Sequence, residues 1–215
     1  KLHRPVDFAV PGPARARLPA EAPAGPVSPE VVVRRSSSAI AITRDGSLVV
    51  TVNPDSNSAS LLETSGLAVR AELPVGIDPR TVAVDDLGRR AYVANRGSHS
   101  ISVIDLWAPR VLAEYSVGER PYGVVLSPGG ERLYVVEQTA GQVRELATGD
   151  MSTIAVYRAG DRPSGLAISD DGSLLYVTHL LDSRITVLNL AARTAYLPLI
   201  GRGIVESGAE TSTAG

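Results

Sequence analysis

Cysteine is missing from all 215 residues, which excludes disulfides, zinc–thiolate sites, iron–sulfur clusters and covalently attached c-type haem within this stretch. Methionine, tryptophan and phenylalanine occur once each, and lysine only at Lys1, every other basic residue being arginine. A GC-rich coding sequence accounts for that bias most simply. An excess of one charge is also lacking. With 21 basic against 23 acidic residues the net charge is −2, which argues against an electrostatic nucleic-acid binder. No apolar run approaches the roughly 20 residues of a membrane-spanning helix. What the chain does have is 44% hydrophobic residues, enough to bury a core.

It also has a repeat. Gly46, Gly88, Gly130 and Gly172 stand 42 residues apart. Val50, Tyr92, Tyr134 and Tyr176 follow the same spacing, as do the pairs Leu61-Leu62, Val103-Ile104, Glu145-Leu146 and Val187-Leu188. Four copies without an insertion imply one supersecondary unit stacked on itself. Each copy opens with alternation (Ile40 and Ile42, Val82 and Val84, Val124 and Leu126, Leu166 and Ile168), the period of a half-buried strand. A polar turn with the repeating glycine follows, where a tight hairpin needs positive φ. Second strands are predicted over 48–52, 90–94, 132–136 and 174–178, with a third and fourth strand after each. Four antiparallel strands in about 42 residues match a β-propeller blade.

The predicted fold is therefore all-β, with blades at 39–80, 81–122, 123–164 and 165–205. Val31-Val32-Val33 stands 42 residues before Leu73-Pro74-Val75, so 31–38 is expected to be the outer strand of a preceding blade. Seven prolines within 1–30 predict an extended arm that docks on another surface. Residues 206–215 read as a polar tail or the start of a loop. Tyr92, Tyr134 and Tyr176 are expected to be buried at equivalent places.

The segments Ala91-Tyr92-Val93-Ala94-Asn95, Leu133-Tyr134-Val135-Val136-Glu137 and Leu175-Tyr176-Val177-Thr178-His179 resemble the YVTN-type β-propeller repeat. So do Ser102-Val103-Ile104-Asp105 and the Gly-x-x-Pro joints Gly118-Glu119-Arg120-Pro121 and Gly160-Asp161-Arg162-Pro163. The resemblance implies a larger propeller of about seven blades. It also implies a place in the periplasm or at the cell surface, and kinship with surface-layer proteins, cytochrome-associated propellers and lactonase-like enzymes. The chain departs from the pattern at Val50, in the tyrosine position, and at Glu137 and His179, in place of the terminal asparagine.

In a propeller, loops between blades and loops between second and third strands share one face. That face should gather Arg80, Tyr122 and Ser164, then Asn53, Asn95, Glu137 and His179 at the second-strand ends, with Arg120 and Arg162 before prolines. It is the candidate ligand or partner face. Glu137 and His179 could form an acid–base pair across blades, though loop polarity explains them more simply. Arg120 and Arg162 could grip an anion jointly, or pair with Glu119 and Asp161. Tyr122 either stacks on a ligand or wedges two blades apart. Asp45, Asp86, Asp170 and Asp171 read as turn residues that satisfy local N–H groups, not as calcium ligands.

No phosphate loop, metal-spaced cluster or serine–histidine–acid order is present in the sequence. The first expectation is a non-catalytic scaffold that binds a protein partner or assembles with itself, with no cofactor in this stretch. The alternatives are the propeller module of a larger redox protein, with haem on a cytochrome c domain elsewhere, and a lactonase-like hydrolase.

Overall fold

The structure, a computed structural model, describes residues 36–181, 184–192 and 194–196. The proline-rich arm 1–30, the triplet Val31-Val32-Val33 and the tail 206–215 lie outside these. Among the described residues every repeat folds into a four-stranded antiparallel sheet. Blade 1 comprises β1 (Ile40–Ile42), β2 (Leu48–Asn53), β3 (Ser58–Glu63) and β4 (Ala68–Pro74). Blade 2 comprises β5 (Pro79–Val84), β6 (Arg90–Asn95), β7 (Ser100–Asp105) and β8 (Arg110–Ser116). In blade 3 the strands are β9 (Pro121–Leu126), β10 (Arg132–Glu137), β11 (Gln142–Ala147) and β12 (Thr153–Arg158). In blade 4 they are β13 (Pro163–Ile168), β14 (Leu174–His179), β15 (Ile185–Asn189) and β16 (Thr194–Tyr196).

The first hairpin of each blade closes on the repeating glycine. Gly46, Gly88, Gly130 and Gly172 have φ of 70°, 61°, 78° and 72°, which side chains with a Cβ resist. Each glycine N–H donates to the carbonyl three residues back, from Thr43, Asp85, Ser127 and Ser169. The turn aspartates act on their neighbours: Asp45 and Asp171 accept the N–H of Ser47 and Ser173 at 3.1 and 3.0 Å. Hydrogen bonds from Ser169 and Ser173 hold the Asp171 carboxyl down at about 2.

Period-two alternation gives each sheet two apolar faces, and the blades stack through them. The face of blade 1 carrying Leu48, Val50 and Leu61 packs on Val82, Ala91, Val93 and Ile104 of blade 2. Tyr92, Ala94, Ile101 and Val103 on the other side of blade 2 pack on Val124, Leu126, Leu133 and Val135 of blade 3. Tyr134, Val136 and Val143 of blade 3 meet Leu166, Leu175, Val177 and Leu188 of blade 4. Each blade thus has a leading face toward its predecessor and a trailing face toward its successor. The repeating tyrosine lies on the trailing face.

This geometry explains where one expectation fails. Tyr92 and Tyr134 are each 2% exposed, but Tyr176 is 37% exposed, because no described blade follows blade 4. At the other end, Ile40 and Ile42 on the leading face of blade 1 are 57% and 59% exposed, where the equivalent Val82 of blade 2 is buried at 1%. The segment before β1 also takes an unexpected course. Ser36 and Ser38, placed by the repeat in an outer strand, instead bridge innermost strands, Ser36 with Ala167 of β13 and Ser38 with Val82 of β5. Ser37 completes the crossing: its N–H donates to the Leu166 carbonyl, and its Oγ accepts the Leu166 N–H, both at 2.8 Å.

The exposure contrast is testable by denaturant unfolding. Tyr134→Ala is expected to cost about 3–5 kcal/mol, the loss typical of a buried aromatic. Tyr176→Ala, in the same repeat position, is expected to cost less than about 1 kcal/mol. Equal losses would mean that Tyr176 is covered.

Candidate functional site

The second-strand ends carry Asn53, Asn95, Glu137 and His179, and all four do the same structural work on different chemistry. Each side chain reaches a partner on the third strand of its own blade. Asn53 Nδ2 donates to Ser60 Oγ at 2.8 Å, and Asn95 Nδ2 to Ser102 Oγ at 2.8 Å. His179 Nε2 bonds Thr186 Oγ1 at 2.9 Å, and Glu137 accepts from Arg144 Nε and Gln142 Nε2.

In blades 2 to 4 the same cluster holds the incoming linker. Gly76 N–H donates to Ser102 Oγ at 3.4 Å and Gly118 N–H to Glu137 Oε1 at 2.8 Å. Thr186 Oγ1 donates to the Ala159 carbonyl at 2.9 Å, and His179 Nδ1 meets the Asp161 carbonyl at 2.8 Å. The first glycine of the Gly-x-x-Pro joint follows from this contact. A Cβ at Gly118 would stand 2.2 Å from Glu137 Cδ, and one at Gly76 would stand 2.6 Å from Asn95 Nδ2.

Glu137 is wholly buried, and its carboxylate is saturated by Arg144, Gln142 and Gly118. Burial pushes its carboxyl up, but the hydrogen bonds from Arg144, Gln142 and Gly118 outweigh that and bring it below its ordinary value. The partners of His179 are Asp161 and Thr186, so the structure gives the two residues separate structural roles with no hydrogen bond between them.

The remaining candidates divide. Tyr122 packs against the cluster between blades 3 and 4, the wedge role, and its carbonyl accepts from Thr81 Oγ1. Ser164 is buried, its hydroxyl directed to the Thr178 carbonyl at 3.3 Å. Arg80 pairs with Asp78 at 2.7 Å, and Arg96 pairs with the same carboxylate at 3.1 Å. Arg120 and Arg162 are exposed, and while the Arg120 N–H donates to His99 Nδ1 at 3.0 Å, neither guanidinium has a partner among the described residues. Both line a groove of about 620 Å³ together with Arg96, Gln138, Asp161 and Leu180. The sequence pointed to the two arginines but not to the groove, whose floor depends on how loops of three blades meet.

One buried acid was not singled out. Glu145, 1% exposed, occupies the position of Leu61, Val103 and Val187 on a trailing face. It pairs with Arg132 and accepts from Tyr157 Oη at 2.6 Å. The only signal available was a charge standing where three other copies are apolar. Among the described residues no group of three His, Asp or Glu side chains is placed to hold a metal ion.

Glu137 gives a pH prediction. A group whose folded value is depressed contributes stability above its unfolded value, about 4.3 for glutamate, and that stability is lost as pH falls through the folded value. Glu137→Gln is therefore expected to flatten the acid limb of the stability–pH curve below about pH 4.3. Glu137→Ala should cost about 3 kcal/mol at neutral pH, the lower end for a broken buried pair, because Arg144 reaches solvent. An unchanged acid limb in the Gln variant would refute the assignment.

No protein-family model matches the sequence, and no curated protein is similar to it. Its likeness to known proteins is structural. It is similar to hydrazine synthase of Kuenenia stuttgartiensis, with a TM-score of 0.65 and 25% identity over 74% of this chain and 48% of that one. It is similar to the dihydro-heme d1 dehydrogenase NirN in complex with DHE, with a TM-score of 0.66 and 19% identity over 77% of this chain and 38% of that one. A functionally unknown protein from Desulfotomaculum acetoxidans gives a TM-score of 0.64 and 17% identity over 75% of this chain and 54% of that one. The chain thus spans about half the length of these proteins or less. Together with four antiparallel four-stranded sheets, the likeness gives the fold: these are blades of a β-propeller.

Proposed function

We propose that the chain is the blade-bearing part of a larger YVTN-type propeller, serving as a non-catalytic scaffold for protein interaction and assembly in the periplasm or at the cell surface. The observation that carries this reading is the pair of uncovered apolar sheet faces. Tyr176 on the trailing face of blade 4 is 37% exposed, where Tyr92 and Tyr134 are 2% exposed under the next blade. Ile40 and Ile42 on the leading face of blade 1 stand open, where the equivalent residues of blades 2 to 4 are packed. Among the described residues, every covered face of this kind is covered by another blade. The engagement of Glu137 and His179 in linker contacts supports a structural role for the residues that a hydrolase would need.

A second reading, the propeller module of a larger redox protein, takes its support from the likeness to hydrazine synthase at 25% identity. A Cys-x-x-Cys-His motif in flanking sequence, or haem absorbance in the native protein, would favour it. The intact mass of the native polypeptide distinguishes a larger ring from a four-blade chain.

The scaffold reading predicts concentration-dependent association of the 215-residue chain by sedimentation velocity. The double variant Ile40→Asp, Ile42→Asp is expected to shift it toward monomer without loss of β-sheet signal. Association unaffected by this change would remove the apolar faces from the assembly surface.

A further inference from the structure

The groove among the loops of blades 2, 3 and 4 is separate from the sheet faces on which the scaffold reading rests. Its chemistry comes from comparing equivalent positions. The residue before the proline of each joint is Asp78, Arg120 or Arg162, and all three adopt positive φ, at 56°, 55° and 42°. This left-handed conformation costs of order 1–3 kcal/mol in a residue with a Cβ. The carbonyl of each accepts from the N–H just past the second strand of its own blade, that of Arg96, Gln138 or Leu180. The joint therefore brings two side chains together three times over. In blade 2 they are Asp78 and Arg96, paired at 3.1 Å, with Arg80 on the same carboxylate at 2.7 Å. In blade 3 they are Arg120 and Gln138, and in blade 4 Arg162 and Leu180, so two guanidiniums stand without the acid that their equivalent provides.

Gln138 is 8% exposed and its Nε2 is buried, so the polar chemistry that the groove offers rests with the two guanidiniums. The groove, at about 620 Å³, falls within the range of sites that enclose small ligands or a short peptide segment. Leu180 and Leu181, 55% and 76% exposed, form an apolar rim beside the cations.

We propose that this groove binds a carboxylate carried on an apolar body, with Arg120 and Arg162 as the charged clamp and Leu180 and Leu181 against the apolar portion. The planar guanidinium fork matches a carboxylate in bidentate geometry. Asp161, which also lines the groove, selects against a dianionic phosphate.

Calorimetric titration of the full chain tests this with hexanoate, with hexanol and inorganic phosphate as controls, and with a short peptide alternating leucine and glutamate. Saturable binding of hexanoate and of the peptide is expected, with none of hexanol. Binding should weaken about tenfold or more in the double variant Arg120→Gln, Arg162→Gln, and remain unchanged in Arg44→Gln, an exposed arginine in the first hairpin. Peptide binding much tighter than hexanoate identifies an acidic segment of a partner protein as the source of the carboxylate; equal binding identifies a small free acid. No saturable binding at millimolar concentrations, phosphate binding tighter than hexanoate, or indifference to loss of both arginines overturns the proposal. None of these results bears on the association measurement, so the two readings fail separately.

Discussion

Stacked sheets hold together by apolar faces, but apolar faces slide. What fixes one blade against the next here is a small polar cluster at the end of each second strand. Glu137 and His179 each tie a second strand to a third and to the linker arriving from the blade before, and Asn95 does so through Ser102, which accepts the linker's Gly76 N–H. The contact is directional, it lies at one edge of the sheet, and at Gly76 and Gly118 it brings the linker close enough to leave no room for a Cβ. Because hydrogen-bond geometry tolerates little displacement, the cluster sets the register in which tyrosine and aliphatic side chains interdigitate behind it. Its chemistry varies freely between amide, carboxylate and imidazole. The fold asks only for a polar group of the right reach.

That tolerance explains what the sequence could and could not reveal. The blades were legible because two signals coincide at fixed spacing: alternation in strands such as 90–94, and a glycine that the hairpin backbone requires. Gly118 and Gly160 were legible as part of a joint, but not the reason for Gly118, which depends on a carboxylate 19 residues away in the chain. Glu137 and His179 stand where the repeat that the sequence resembles has asparagine, and a change of that kind suggests chemistry. Their neighbours show that a departure in residue type can preserve a structural role. Tyr176 departs from expectation for a different reason: periodicity predicts which face a side chain occupies, and says nothing of whether that face is covered.

The loop face follows a different logic from the sheet faces. Its backbone repeats, down to the left-handed residue before each proline, while the side chains that backbone displays change from blade to blade. A charge and its counter-charge in blade 2 become a charge without one in blades 3 and 4. Asymmetry of this sort arises by simple substitution on a symmetric frame and needs no new loop.

The crossing of Ser36 to Ser38 has a consequence for how the chain reaches its native state. Ser37 Oγ meets the Leu166 N–H across 129 residues of sequence, while nearly all other pairing in the molecule closes within a single repeat. Hairpins form early because short loops cost little entropy to close, so blades can assemble in order from local contacts. Ser38 can bridge Val82 of β5 once blade 2 forms, but the stretch Ser36-Ser37 has no partner until β13 of the last described blade exists. During synthesis from the N-terminus it must therefore wait, unpaired, while some 130 residues emerge and fold. Its docking is then the last event, one that joins the innermost strands of blades 2 and 4 only after both are built, so that completion of the fourth blade is registered at the beginning of the described chain.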